Sequence, residues 1–202
     1  LRVVCRWVDQ LRDAARAQGR AVALVVDPVL GSTTGAGFAD EALLQAYVRE
    51  LLPRATLVTP NRSEALRLLA ALQGGHDAGR TPQGQPEVAS ALLMNMGQGA
   101  AVAITGGDAS HENGMASDWL TSPQASGWLS LPRVATTHQH GSGCPFASTA
   151  AAALASGYCL ADAVVLAKMA STHALRHGYA AGAGAGPVCA QADFAQHADN
   201  LP

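Results

Sequence analysis

The chain has 202 residues, of which 49% are hydrophobic and 14% charged, and a formal net charge of −2 at pH 7. That balance suits a globular protein with a sizeable core and excludes a disordered chain. No basic run points to nucleic acid, and charges or turn residues interrupt every apolar run before it could span a membrane. Cys5, Cys144, Cys159 and Cys189 are scattered without CxxC spacing, so neither a zinc site nor a disulfide framework is expected. With no secretory signal at the start, a reduced, cytoplasmic protein is the expectation. Residue 1 is leucine, not methionine.

Val3, Val4, Trp7, Val8, Leu11 and Ala15 recur at helical spacing between Arg2, Arg6, Asp9, Arg12 and Arg16, which predicts an amphipathic helix ended by Gly19. Residues 21–26 form a continuous apolar run, the pattern of a buried parallel strand. It ends at Asp27-Pro28, where open α/β sheets place their ligands. A Ser/Thr/Gly loop over 31–37 leads to a helix over 40–52, stopped by Pro53. A second strand is expected over 55–59 and a helix from about Ser63 to Leu72. A polar loop over 74–86, a short helix over 87–96 and a third strand over 100–105 follow, the last ending in Gly106-Gly107-Asp108. Residues 118–121 and 128–131 read as a hairpin with its turn between Ser122 and Gly127.

Next comes His140-Gly141-Ser142-Gly143-Cys144-Pro145, followed by an alanine-rich run. Alanine is the best helix former, and proline is at home in a first turn. The stretch therefore reads as a glycine turn feeding a helix N-terminus, which offers an anion free N–H groups and the positive end of a dipole. Glycine permits left-handed backbone and close approach. Cys144 would sit at the mouth of that site, where a thiol's pKa is expected to fall. A last helix is expected over 161–177, with Ala163, Val164, Leu166, Ala167, Ala170 and Leu175 facing inward, then a glycine-alanine loop over 178–186 and a weakly structured end. Alternating strands and helices predict an α/β layer fold with a mostly parallel sheet. No repeat or linker divides the chain, so 1–202 is expected to be one domain.

Four stretches stand in order: Asp27-Pro28-Val29-Leu30, Thr59-Pro60-Asn61-Arg62-Ser63-Glu64, Thr105-Gly106-Gly107 and His140-Gly141-Ser142-Gly143-Cys144. Together they resemble the ribokinase-like small-molecule kinases. The most similar branch is the hydroxymethylpyrimidine and phosphomethylpyrimidine kinases of thiamine biosynthesis, which typically carry DPVM, TPN-x-x-E, KGG and HGTGC. Ser117-Asp118-Trp119-Leu120, Leu131-Pro132-Arg133-Val134 and the GAGPV stretch from Gly184 to Val188 also look like family segments. The departures are Thr105 for lysine, Ser142 for threonine and Pro145 for threonine. The family's glycine-rich substrate loop and first strands do not appear here, so the chain is expected to correspond to roughly the C-terminal two-thirds of the family fold.

The resemblance implies a three-layer α/β/α fold and ATP- and Mg²⁺-dependent phosphorylation of hydroxymethylpyrimidine or its monophosphate. It implies an anion hole of Gly141, Ser142, Gly143 and Cys144 for the transferred group, with Cys144 either a proton acceptor or a substrate contact. Asn61 and Glu64 would organise Mg²⁺ and the phosphates through water; their spacing alone favours a helix capping box, and the flanking Thr59-Pro60 and the other motifs reverse that preference. Asp27 would hold a metal water or orient phosphates, or else be a turn aspartate before proline. Thr105 and Gly107 would lie near the nucleotide, His140 beside the glycine turn, and Val29 and Leu30 in the pocket wall. His138 reads as a surface loop residue; His111, His173, His177 and His197 show no ligand spacing, and the tryptophans read as packing residues. The expected partner is a small pyrimidine, with a homodimer implied by the resemblance. Alternatives are a pyridoxal kinase and a catalytically weakened, kinase-like binding domain. A dinucleotide-binding Rossmann protein is disfavoured, since no GxGxxG follows the first strand.

Overall fold

A computed structural model describes residues 1–31, 39–74, 84–107 and 114–191. The loops expected over 31–37 and 74–86 and the chain's end lie mostly outside the described residues, as do Asp108, His111 and His197. The elements run α1 (Arg2–Arg16), β1 (Val25–Val26), α2 (Glu41–Ala46), β2 (Leu57–Val58), α3 (Arg62–Leu72), α4 (Gln85–Leu93), β3 (Ala101–Ile104), β4 (Met115–Thr121), β5 (Ser126–Pro132), α5 (Gly143–Ala155) and α6 (Leu160–Arg176). The sheet order is β1-β2-β3-β4-β5. β1, β2 and β3 are parallel, and the β4–β5 hairpin adds an antiparallel flank.

Successive side chains of a strand point to opposite faces, and the sheet uses both. Val26, Val58, Val102 and Ile104 pack into one core with residues of α2, α3 and α4. Leu57, Ala101, Ala103 and Leu120 pack into a second core with Phe146, Ala150, Leu160, Val164 and Ala167 of α5 and α6. Two cores on opposite faces of one sheet make the three-layer α/β/α arrangement. Small alanines on the α5–α6 face of β3 let those helices approach closely.

Three local differences from the sequence pattern have physical causes. The apolar run over 21–26 joins the ladder only at Val25–Val26. Upstream, side chains satisfy the backbone instead: Arg12 Nε donates to Val22 O (3.1 Å), and Leu24 N donates to Thr56 Oγ1 (2.9 Å). The helix expected over 40–52 is α-helical only to Ala46, then widens to a π turn over Tyr47–Leu51 and tightens to 3₁₀ over Leu52–Arg54. Pro53 lies inside that last turn rather than after it. A proline without an N–H cannot continue the α ladder, and Arg54 Nη1 donates to Glu50 O at 2.6 Å in compensation. In α1 the buried residues are Cys5 and Val8, whereas Val3, Val4, Trp7 and Leu11 are exposed. Trp7 is thus not a packing residue in this chain, while Trp119 and Trp128 pair edge-to-face across β4 and β5 with centroids 5.1 Å apart.

Truncating the fully buried Leu68 to alanine is expected to cost about 2–5 kcal/mol. The same truncation at exposed Trp7 is expected to stay within about 0.5 kcal/mol. Urea unfolding of the two variants checks the contrast.

Candidate functional site

The parallel ladder aligns Val26, Val58 and Val102 at one level. The chain therefore leaves three strands at the same carboxyl edge, where Asn61 stands beside Thr105 and Asp27 directly follows β1. Asn61 and Thr105 form an isolated parallel bridge, and Thr105 N donates to Pro60 O at 2.9 Å.

Asn61 and Glu64 form a complete capping box at the start of α3. Glu64 N donates to Asn61 Oδ1 and Asn61 N to Glu64 Oε2, each at 2.9 Å. Leu30 N approaches Glu64 Oε1 at 3.4 Å, and Arg67 donates to Leu30 O (3.0 Å) and Ala39 O (3.1 Å). The capping reading of this motif is therefore realised, and the same bonds fix the Glu64 carboxylate against the segment after β1. Leu30 is fully buried in the core, not in a pocket wall, whereas Val29 is half exposed.

Asp27 reaches the glycine turn. Its Oδ2 lies 3.6 Å from where a Cβ on Gly143 would stand. Burial pushes the Asp27 carboxyl above its ordinary value. Tyr47, in the π turn, is likewise raised, first by burial and then by the negative charges of Asp27 and Glu64. Both carboxylates thus act on one place beside Tyr47, a residue that no motif singled out. Among the described residues no three His, Cys, Asp or Glu side chains converge as direct metal ligands. Asp27, Asn61 and Glu64 bear the kind of oxygen groups that could hold a magnesium ion through its own waters.

The turn itself differs from a four-donor anion hole. Gly141 adopts φ 78°, which only glycine takes without strain, and Gly143 does not need a positive φ. Ser142 N donates to Gln139 O (3.3 Å) and Cys144 N to Gly141 O (3.2 Å), so those two N–H groups close the turn. Pro145, at the third helical position, has no N–H. Gly141 N and Gly143 N are not used by those two bonds. Cys144 is exposed beside them.

The His140 imidazole is exposed, but its backbone is anchored: His140 N donates to Gly186 O (3.2 Å) and Val188 N to His140 O (3.1 Å). His138 is not a surface loop residue. It is half buried, and its Nδ1 accepts from Gly186 N at 3.0 Å. A Cβ on Gly186 would collide with Tyr179 O and crowd His138 Nδ1, so the late glycine-proline loop packs tightly against both the chain after α6 and the segment leading to the glycine turn.

The Gly106 turn has a partner that sequence reasoning missed. Gly106 N donates to Asp118 Oδ1 (2.9 Å), and a Cβ there would collide with Ser117 O. Asp118 is itself buried and pairs with Lys168 Nζ at 3.0 Å. Gly107 faces open space. On α6, Leu166, Ala170 and Leu175 are only partly buried, while Lys168, Thr172 and His173 are buried. One signal was available: Lys168 is the single lysine among the 13 Lys and Arg residues, and it follows an apolar run from Ala163 to Ala167.

A family model described as phosphomethylpyrimidine kinase matches residues 7–189. A hydroxymethylpyrimidine/phosphomethylpyrimidine kinase of Synechococcus elongatus is 40% identical over 167 residues, covering 81% of this chain and 59% of that protein. One from Streptomyces coelicolor is 36% identical, covering 81% and 57%. The chain thus spans less than two thirds of the length of these relatives. Among solved structures, the pyridoxal kinase of Staphylococcus aureus in complex with ADP superposes with a TM-score of 0.69 at 27% identity, over 90% of this chain and 63% of that one. An ADP complex of Bacillus subtilis pyridoxal kinase gives 0.71 at 26% identity, over 93% and 67%. With the four motifs collected at one edge of an α/β/α sheet, the chain belongs to the phosphomethylpyrimidine kinase family.

Proposed function

We propose that this protein transfers the terminal phosphoryl group of ATP to hydroxymethylpyrimidine or its monophosphate in thiamine biosynthesis. The observation that carries the reading is the meeting of Asp27 with the Gly141–Cys144 turn at the carboxyl edge of the parallel strands. Phosphoryl transfer needs positioning and charge stabilisation more than covalent chemistry, and this edge supplies both. The family relation and the ADP complexes among the structural neighbours support ATP as donor.

In this reading Gly141 N and Gly143 N receive the transferred group, aided by the positive end of α5. Cys144, exposed at that end, accepts the hydroxymethyl proton as the acceptor oxygen attacks. Thr105 and Gly107 border the nucleotide, and His140 flanks the phosphates. Val29 offers an exposed apolar contact to the pyrimidine ring. Asn61 and Glu64, with Asp27, would hold a magnesium ion through its waters, and that ion would supply charge neutralisation of the phosphates. The free state of the described cysteines suits a reduced cytoplasmic setting. A pyridoxal kinase is the second reading, favoured by the superposition on two such enzymes.

A coupled ADP-release assay with hydroxymethylpyrimidine, ATP and Mg²⁺, run beside pyridoxal, tests the proposal on this chain and on the chain with any residues encoded upstream. Pyrimidine turnover that falls by about 10²-fold in Cys144→Ala is the expected result. Preferential turnover of pyridoxal would establish the second reading. No turnover of either, with ADP still bound, would identify a binding domain.

Asp27 adds a prediction with a definite sign. Its folded-state pKa is raised, so the folded state binds the proton more tightly than the unfolded chain does. The stabilisation from protonated Asp27 is full below the ordinary value of 3.8 and is lost as pH rises through the raised one. Asp27→Asn is therefore expected to raise the melting temperature at pH 7, to lose that gain near pH 4, and to abolish turnover. Thermal melts across that range check it.

A further inference from the structure

Helix α6 touches both glycine turns of the site. Lys168 pairs with Asp118 at 3.0 Å, and Asp118 accepts from Gly106 N at 2.9 Å. Three residues further on, Ser171 Oγ donates to Ser142 O at 3.0 Å, inside the Gly141 turn. Residues three apart lie on one face of a helix. One face of one helix therefore holds a turn after β3 and a turn before α5.

The two anchors differ in strength. The first is a charge-assisted bond carried by an almost fully buried ion pair, with side-chain exposures of 9% for Lys168 and 4% for Asp118. An ion pair so buried is seldom the most stable choice for a core, and an apolar pair of similar volume would often serve stability as well. What an apolar pair cannot do is hold the Gly106 amide, whose backbone is pressed against Ser117 O with no room for a side chain. The second anchor is a single hydroxyl on a carbonyl of the N-cap residue of α5.

We propose that α6 is a strut that sets the separation of the two phosphate-facing turns. Lys168, acting through Asp118, is the positioning residue for the Gly106 turn, and Ser171 is the positioning residue for the Gly141 turn. This rests on the kinase reading for the roles of the turns: the Gly106 turn borders the nucleotide, and the Gly141 turn receives the transferred group. The two anchors therefore act on different kinetic constants. A displaced Gly106 turn weakens nucleotide binding. A displaced Gly141 turn misplaces donors that matter chiefly in the transition state.

The test uses the full chain and four variants, Lys168→Met, Lys168→Arg, Ser171→Ala and Ser171→Thr. ATP and pyrimidine are varied separately, and ADP binding is measured by calorimetry. Lys168→Met is expected to raise KM for ATP and Kd for ADP by about tenfold, leaving KM for the pyrimidine within about twofold, and Lys168→Arg to restore most of the loss. Ser171→Ala is expected to lower kcat by about tenfold with Kd for ADP within about twofold, and Ser171→Thr to restore it. If Lys168→Met does not fold, the Asp118→Asn/Lys168→Met pair leaves no uncompensated buried charge and keeps an oxygen, though not its charge, for Gly106; weakened ADP binding is again expected. Variants that only melt lower, with unchanged constants once folded, would overturn the proposal. The ADP measurement separates it from the kinase reading. A wild-type protein that binds ADP without pyrimidine turnover removes that reading, yet weakened ADP binding in Lys168→Met still supports the Lys168 anchor. A wild-type protein that binds no ADP overturns both.

Discussion

The site depends on a register. Val26, Val58 and Val102 stand at one level of three parallel strands, so the chain emerges from each strand at the same height. Parallel pairing needs crossover connections, and here helices α2 to α4 cover one face while α5 and α6 cover the other. A one-residue slip in β2 would turn Leu57 and Val58 each toward the wrong layer. It would also withdraw Asn61 from Thr105 and shift the capping box that begins α3. The packing that stabilises the fold and the placement of the site groups are consequences of the same alignment.

Charge is arranged around that edge with a consistent logic. Asp27 and Glu64 bring negative charge to one place, and burial makes ionised Asp27 costly. Protonation of Asp27, or a cation bound beside it, relieves that cost. Opposite the two carboxylates stand the start of α5 and the Gly141 and Gly143 N–H groups, which the two bonds within the turn do not use. The Ser142 and Cys144 amides close the turn and give it a fixed shape. Pre-formed donors cost no reorganisation when charge develops.

Much of this was legible in the sequence, for physical reasons that can be named. Val25-Val26, Leu57-Val58 and the 101–104 run announced strands because a strand buried on both faces must be apolar throughout. Asn61 and Glu64 announced a helix start because capping has a fixed spacing. Gly141 announced a turn because its φ of 78° strains any other residue. What stayed hidden depends on tertiary contact. The exposed face of α1 was unreadable because periodicity reports that a helix has two faces, not which one the core takes; Cys5 and Val8 are buried while Trp7 is 61% exposed. The π turn over Tyr47–Leu51 precedes the turn that contains Pro53, and His138 is partly covered by a glycine loop nearly fifty residues away. Lys168 stood out in the sequence as the single lysine, but its role was hidden because nothing there shows Asp118 beside it.

The division between legible and hidden parts bears on substrate choice. The phosphate end of the site is built largely from backbone: turn amides, a helix terminus and strand ends. Such groups recognise charge and geometry, not ring chemistry, so the same frame can serve a pyrimidine kinase and a pyridoxal kinase, as the superposition on two pyridoxal kinases bears out for the fold. Discrimination between two heteroaromatic alcohols of similar size must come from side chains that meet the ring. Sites built to hydrogen-bond a particular group reject an analogue lacking it by orders of magnitude, whereas apolar contacts separate similar shapes weakly. Val29, half exposed beside Asp27, would in the proposed reading offer an apolar contact of the second kind. Specificity therefore requires polar groups facing the ring in addition to the residues that handle the phosphate, and a motif that defines the phosphate end cannot by itself name the alcohol.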